Sequence, residues 1–277
     1  MTDFPSPAVV AASGELASLD GRIALAAETS ISVLDEGFLR GDGVFEVVRV
    51  YDGRPFALPE HLDRLGSSAE RLRLGYPVPR AELESEARGL LDARGGGEFD
   101  GCLRLVLTRA GRRLLLTEPV PATAARPRLG FVTFAPPRVL DGIKSLSYAG
   151  IMLAGRLARE RGFDEALLVT PHGRVLEAPT ASIFWVDADG TLSTPPLEDH
   201  ILASITRERL MRLVDVRERP LSSDELLHAS EAFLASSTRE VQAVAGVEER
   251  EFAGVGEATR AAASALREHI EAELARG

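Results

Sequence analysis

Asp141-Gly142-Ile143-Lys144-Ser145-Leu146-Ser147-Tyr148-Ala149-Gly150 holds the only lysine of the 277-residue chain. Of 32 basic residues the other 31 are arginines, whereas a chain of this length ordinarily carries about a dozen lysines or more. A broad drift toward Arg, Ala and Gly explains the loss, because at a solvated surface the two cations exchange at little cost. The survivor is expected where a guanidinium fails. Arginine keeps its proton at any working pH, while an ε-amine can shed it and attack a carbonyl to form a Schiff base. The stretch is extended up to Lys144 and leads into a helix expected over about 149–161. That helix has Ile151, Ala154, Leu157 and Ala158 at helical spacing and stops at Gly162. A lysine at such a junction suits a covalent cofactor anchor better than a surface charge.

Upstream, residues 30–58 read as β structure. Val44, Phe45, Val47, Val48, Val50 and Tyr51 form an apolar run, Asp52-Gly53 is a hairpin turn, and Arg54 to Leu58 returns. Pro59 opens a helix striped with Leu62, Leu65, Ala69 and Leu72, and a second helix is expected over 80–94 before Gly95-Gly96-Gly97. Leu103, Leu105 and Leu107 alternate with Arg104, Val106 and Thr108 as a strand. The proline-containing stretch 118–128 reads as a linker. Downstream, strands are expected at about 129–134, 165–170, 174–177 and 181–187. A helix should start near Ser204, Ser222 with Glu225 offers a capping box, and 231–237 with 240–244 reads as a strand pair. An alanine-rich helix over about 256–275 closes the chain. The order implies an α/β (α+β) protein of two domains, 1–117 and 129–277, the second carrying Lys144.

The net charge of −10 disfavours nucleic acid and anionic membrane as partners, so an anionic ligand needs a local cluster of arginines or helix-end amides. No apolar run approaches the length of a spanning helix. Met1 to Glu15 has no basic stretch of the kind that opens a signal peptide. A single Cys102 excludes an internal disulfide and a cysteine metal cluster. These features point to a cytoplasmic protein.

Four further stretches make sense together if Lys144 forms a Schiff base with pyridoxal 5'-phosphate. They are Gly41-Asp42-Gly43-Val44-Phe45-Glu46-Val47-Val48-Arg49 followed by Pro59-Glu60-His61-Leu62-Asp63-Arg64-Leu65; Gly173-Arg174-Val175-Leu176-Glu177-Ala178-Pro179-Thr180-Ala181-Ser182-Ile183-Phe184; Ile201-Leu202-Ala203-Ser204-Ile205-Thr206-Arg207; and Phe233-Leu234-Ala235-Ser236-Ser237-Thr238-Arg239-Glu240-Val241. The ordered set resembles the class IV (fold type IV) pyridoxal-phosphate enzymes, which include branched-chain and D-amino acid aminotransferases, R-selective amine transaminases and aminodeoxychorismate lyase. The resemblance implies a cofactor in the cleft between two domains. It also implies that Arg64 binds the phosphate and that Glu177 pairs with the pyridine nitrogen, keeping the ring an electron sink. Leu202 would lie beneath the ring, with Ser204, Ile205 and Thr206 at a phosphate-binding helix start. Ser237 and Thr238 would add hydroxyls to the phosphate, and Phe45 and Glu46 would face the substrate side.

The chain departs from the family's common pattern at four positions. Ser147 and Ser182 stand where Asn is common, Ser204 replaces Gly, and Ala243 replaces Pro. The Pro-Arg-x-His segment with which D-amino acid aminotransferases hold the substrate carboxylate is replaced by Arg109-Ala110-Gly111-Arg112-Arg113-Leu114, making Arg112 and Arg113 the candidate carboxylate contacts on a mobile loop. The implied activity is transfer of an amino group between a D-amino acid, or an R-configured primary amine, and a 2-oxo acid by a homodimer. The alternative within the resemblance is 4-amino-4-deoxychorismate lyase, which uses the same lysine for an elimination.

Overall fold

The computed structural model describes residues 14–77 and 79–276, so most of the stretch read for a signal peptide lies outside the described residues. The chain divides into two compact units. The first comprises Met1–Pro121 with Ile143–Ser147, and the second Ala122–Gly142 with Tyr148–Gly277. The first break falls inside the stretch 118–128.

The first unit is one antiparallel sheet with two long helices on one face. Its elements are β1 (Leu16–Leu19), β2 (Arg22–Leu25), α1 (Glu36–Arg40), β3 (Gly43–Tyr51), β4 (Arg54–Pro55), α2 (Leu58–Arg71), α3 (Arg80–Arg94), β5 (Gly101–Thr108) and β6 (Arg113–Glu118). The strand order is β2-β1-β6-β5-β3-β4. Successive side chains on a strand point to opposite faces. Val44, Val48 and Val50 of β3 and Leu103, Leu105 and Leu107 of β5 therefore share one face, packed with Leu62 and Leu65 of α2 and Leu83 and Leu90 of α3. Each such side chain contributes roughly 1.5–3 kcal/mol by leaving water. The Asp52-Gly53 turn has φ of 46° and 73°, the left-handed pair that suits a two-residue hairpin, and a Cβ on Gly53 would lie 2.1 Å from the Gly96 carbonyl oxygen.

Two expectations change here. Residues 30–58 are not β throughout, because α1 interrupts them. Asp35 caps it by accepting the Gly37 N–H at 2.7 Å, and five residues are too few to show a helical period. The segment with Lys144 belongs by its contacts to the first unit, not to the domain 129–277. Ser145 bridges Val44, the Phe45 N–H donates to the Lys144 carbonyl at 3.1 Å, and the Leu146 N–H donates to the Gly43 carbonyl at 2.8 Å. Gly43 permits this approach, since a Cβ there would sit 2.5 Å from Leu107 O and 2.7 Å from Leu146 Cδ1.

The second unit contains β7 (Arg128–Thr133), α4 (Ala149–Glu160), β8 (Glu165–Val169), β9 (Ser182–Val186), β10 (Leu192–Thr194), α5 (Ile205–Leu213), β11 (Arg217–Glu218), α6 (Ser223–Leu226), β12 (Glu231–Ser236), β13 (Glu240–Ala243), β14 (Gly246–Val247), β15 (Arg250–Glu251) and α7 (Glu257–Leu274). They form two mixed sheets, β11-β10-β9-β12-β13 and β15-β14-β7-β8. β9 is buried along its whole length, and its Phe184 stacks on Phe233 of β12 with centroids 4.8 Å apart. The strand expected over 174–177 is reduced to single bridges, Val175 to Val169 and Arg174 to Ser222. On α4 the buried face is Ala154, Gly155 and Ala158, while Leu157 of the expected stripe is 41% exposed. No helix among the described residues is long and apolar enough to cross a membrane.

Candidate active site

Lys144 sits on the strap Ile143–Ser147. Its backbone N–H donates to the Ser68 hydroxyl of α2 at 3.2 Å, and its Nζ lies 4.4 Å from the centroid of the Phe45 ring. The Ser68 bond before the Lys144 Cα and the bonds to Phe45 and Gly43 after it hold the main chain on both sides of the amine, which suits a nucleophile that must meet a carbonyl in one geometry.

Glu46 is next to Phe45 on β3 and therefore points to the other face of the sheet. The expectation that both residues face the substrate side is corrected for Glu46. It is fully buried, accepting Arg64 Nε and Nη2 at 2.7 Å each and meeting His61 Nδ1 at 2.8 Å. His61 and Arg64 are three residues apart on α2, one helical turn, which aims both at the same carboxylate. Burial pushes the Glu46 carboxyl up, but the Arg64 guanidinium and then His61 outweigh it and hold it at about 2. Burial pushes His61 down, only partly opposed by Glu46. His61 was missed as a candidate; its spacing from Arg64 was the available signal.

The signs set an acid-stability prediction. An unfolded His61 takes a proton as pH falls through about 6.5, which the folded, depressed His61 resists, so stability starts to fall there. The Glu46 contribution is complete above its ordinary 4.5 and is lost as pH falls through about 2. Glu46→Gln removes the carboxylate paired with a largely buried guanidinium, at a cost of about 3–5 kcal/mol. Thermal melts should show this difference from the unsubstituted protein shrinking as pH falls below about 4.5. A difference independent of pH down to pH 3 would show that Glu46 carries no charge in the fold.

In the second unit, Glu177 Oε1 accepts the Leu202 N–H at 3.1 Å, fixing the carboxylate against the chain before α5. Ser204 is the N-cap of α5, its hydroxyl accepting the Arg207 N–H at 3.3 Å, so Ile205 and Thr206 are the first two helical residues. Their N–H groups are among those a helix leaves without internal partners. Ser237 and Thr238 lie in the turn between β12 and β13, where the Thr238 hydroxyl is 3.5 Å from that of Ser236. Of the two serines standing for Asn, Ser147 donates to the Gly41 carbonyl at 3.3 Å. The Ser182 hydroxyl is buried with no hydrogen-bond partner among the described residues.

Arg112 and Arg113 are not on a mobile loop. The Thr108 N–H donates to the Arg112 carbonyl at 3.1 Å and Arg113 begins β6, closing a tight hairpin. Arg112 pairs with Asp20 at 2.6 Å, and Arg113, on the helix-covered face, pairs with Glu86 of α3 at 2.6 Å. Arg104 is the arginine beside the Phe45 ring, its Cζ 5.5 Å from the ring centroid and its Nε 3.0 Å from both oxygens of Glu118. Its signal was a lone charge on an otherwise apolar strand.

These groups fit pyridoxal phosphate. The chain offers one lysine amine for the aldehyde and a carboxylate, fixed by the Leu202 N–H, of the kind that pairs with a protonated ring nitrogen. A capped helix start and a hydroxyl-bearing turn supply donors for a phosphate.

The family model for class IV aminotransferases matches residues 43–247. D-alanine aminotransferase of Bacillus licheniformis is 30% identical over 93% of this chain and 98% of its own length. A fold IV transaminase of Curtobacterium pusillum superposes with a TM-score of 0.79 at 29% identity, covering 91% of this chain and 98% of the other. The branched-chain aminotransferase of Thermoproteus uzoniensis, solved with norvaline, gives 0.84 at 28% identity over 92% and 94%. A family match across most of the chain, with the fold of these transaminases, shows that the protein belongs to the class IV aminotransferases and is a pyridoxal-phosphate-dependent enzyme.

Proposed function

We propose that the protein moves an amino group between a D-amino acid, or an R-configured primary amine, and a 2-oxo acid. The observation that carries the reading is the placement of the only lysine, strapped to β3 with its amine against Phe45. Bound pyridoxal phosphate supplies the aldehyde and the electron sink. Lys144 is the amine that holds it and the base that moves the substrate Cα proton. Glu177 keeps the ring nitrogen protonated, and Leu202 supports the ring. Arg64, Ser204, Ile205, Thr206, Ser237 and Thr238 hold the phosphate, and Glu46 with His61 orients Arg64. Phe45 borders the substrate, and Arg104, beside the Phe45 ring, replaces Arg112 and Arg113 as the candidate carboxylate contact. Similarity to both a D-alanine and a branched-chain aminotransferase supports transamination over the lyase alternative.

The stretch Gly43 to Arg49 favours the D-amino acid pattern. The test is to add D-alanine, R-1-phenylethylamine and L-leucine separately to the yellow holoenzyme. D-alanine or the R-amine should bleach the visible band to the pyridoxamine form, with L-leucine at least about tenfold slower, a difference of about 1.4 kcal/mol. Conversion by L-leucine alone would move the enzyme to the L-branched-chain class.

A cytoplasmic homodimer belongs to the same reading. Val33, Leu34, Phe38 and Leu39 around α1 are 53% to 79% exposed, an apolar surface that suits burial against a second copy. Phe38→Asp should shift the protein to monomer in sedimentation; an unchanged dimer would put the interface elsewhere.

A further inference from the structure

Arg239 follows Ser237 and Thr238 in the β12–β13 turn, yet its side chain is only 10% exposed. Nη2 donates to Glu165 Oε1 and to Thr180 Oγ1, each at 2.9 Å, and Nη1 donates to the second Glu165 oxygen and to Gln242 Oε1 at 3.2 Å. Glu165 begins β8 and is itself 13% exposed, so the bidentate pair is largely shielded from water. Thr180 lies in the tight turn closed by the Ala178 N–H to Ala181 O bond at 2.9 Å, directly after Glu177. Gln242 is on β13, and its amide donates to Thr123 Oγ1 at 2.9 Å and to Ala124 O at 2.6 Å.

Desolvating a guanidinium and freezing its long side chain are unfavourable. The hairpin alone does not require it, since β12 and β13 already pair from Phe233 with Ala243 to Ser236 with Glu240. The arrangement joins two turns, one after Glu177 and one bearing Ser237 and Thr238. Hydroxyl donors help an anion only when held where the anion will be, which turns seldom achieve without a supporting contact.

We propose that Arg239 is a positioning residue for the cofactor phosphate. Through Thr180 and Glu165 it fixes the Ser237–Thr238 turn relative to Glu177, so that one guanidinium sets the spacing between the ring-nitrogen and phosphate anchors. The inference rests on the reading of Ser237 and Thr238 as phosphate donors. Arg239 acts through the turn, its terminal nitrogens being bonded to Glu165, Thr180 and Gln242.

The test titrates the cofactor-free protein with pyridoxal phosphate and with pyridoxal, which lacks the phosphate, following imine absorbance. Arg239→Ala should weaken the phosphorylated form about tenfold or more and pyridoxal less than about twofold, as expected when charge-assisted contacts are misplaced. Glu165→Gln should act in the same direction, and Arg239→Lys should recover only part of the loss. The double variant Ser237→Ala with Thr238→Val tests the underlying reading. If it leaves the preference for the phosphorylated form unchanged, that reading fails and this inference with it. If it lowers the preference but Arg239→Ala does not, or weakens both forms equally, the positioning role is overturned. Should Arg239→Ala not fold, Glu165→Gln decides: a selective loss supports the role, and an unselective one or none removes it.

Discussion

Lys144→Arg should give a folded protein with no visible imine absorbance and at least about 10⁴-fold less turnover, as expected when nucleophile and general base are lost together. Arg retains the positive charge that Lys144 places near the Phe45 ring, and the strap bonds run through the main chain, so the fold should survive. What Arg cannot do is give up its proton to attack an aldehyde. Lys144→Ala should be as inactive, and the two variants should have similar melting temperatures. Turnover in the Arg variant above about one per cent of normal, a loss below the range of a missing general base, would show that Lys144 is not the anchor.

The second large effect is expected at Glu177. Glu177→Gln keeps an oxygen to accept the Leu202 N–H, so cofactor affinity should change little. A neutral amide no longer favours the protonated ring nitrogen, and the ring then accepts electrons from the substrate Cα less readily. Turnover should fall about ten- to hundredfold, the worth of one charge-assisted hydrogen bond. Equal turnover at saturating substrates would leave Glu177 with no electronic role. A large loss of cofactor affinity would instead make it a structural support for the Leu202 segment.

What the sequence displays well is long-period structure. α2, α3 and α7 run 14, 15 and 18 residues and repeat their apolar positions over several turns. Short elements show no period: α1 has five residues and β1 and β2 four each. β6 was hidden because Arg113-Leu114-Leu115-Leu116 does not alternate, so Arg113 read as loop when it starts a strand and Arg112 closes the hairpin turn before it. The opposite facing of Phe45 and Glu46 was legible, since neighbours on any strand diverge. The attachment of Lys144 to the first unit was not, because its partner Val44 lies in a distant segment and pairing over such a separation leaves no local pattern.

The strap also bears on how the protein is made. Synthesis proceeds from the N-terminus, and residues 14–121 contain every strand of the first sheet. The amine, however, reaches that sheet only when residues 143–147 leave the ribosome, after the chain has begun its second unit. A fragment ending at Pro121 could form the sheet but would lack its reactive group. A fragment starting at Ala122 would carry Lys144 on a segment deprived of β3. Two genes encoding these halves would have to assemble before either gained an anchored lysine, so a single cut between the units cannot partition the chemistry.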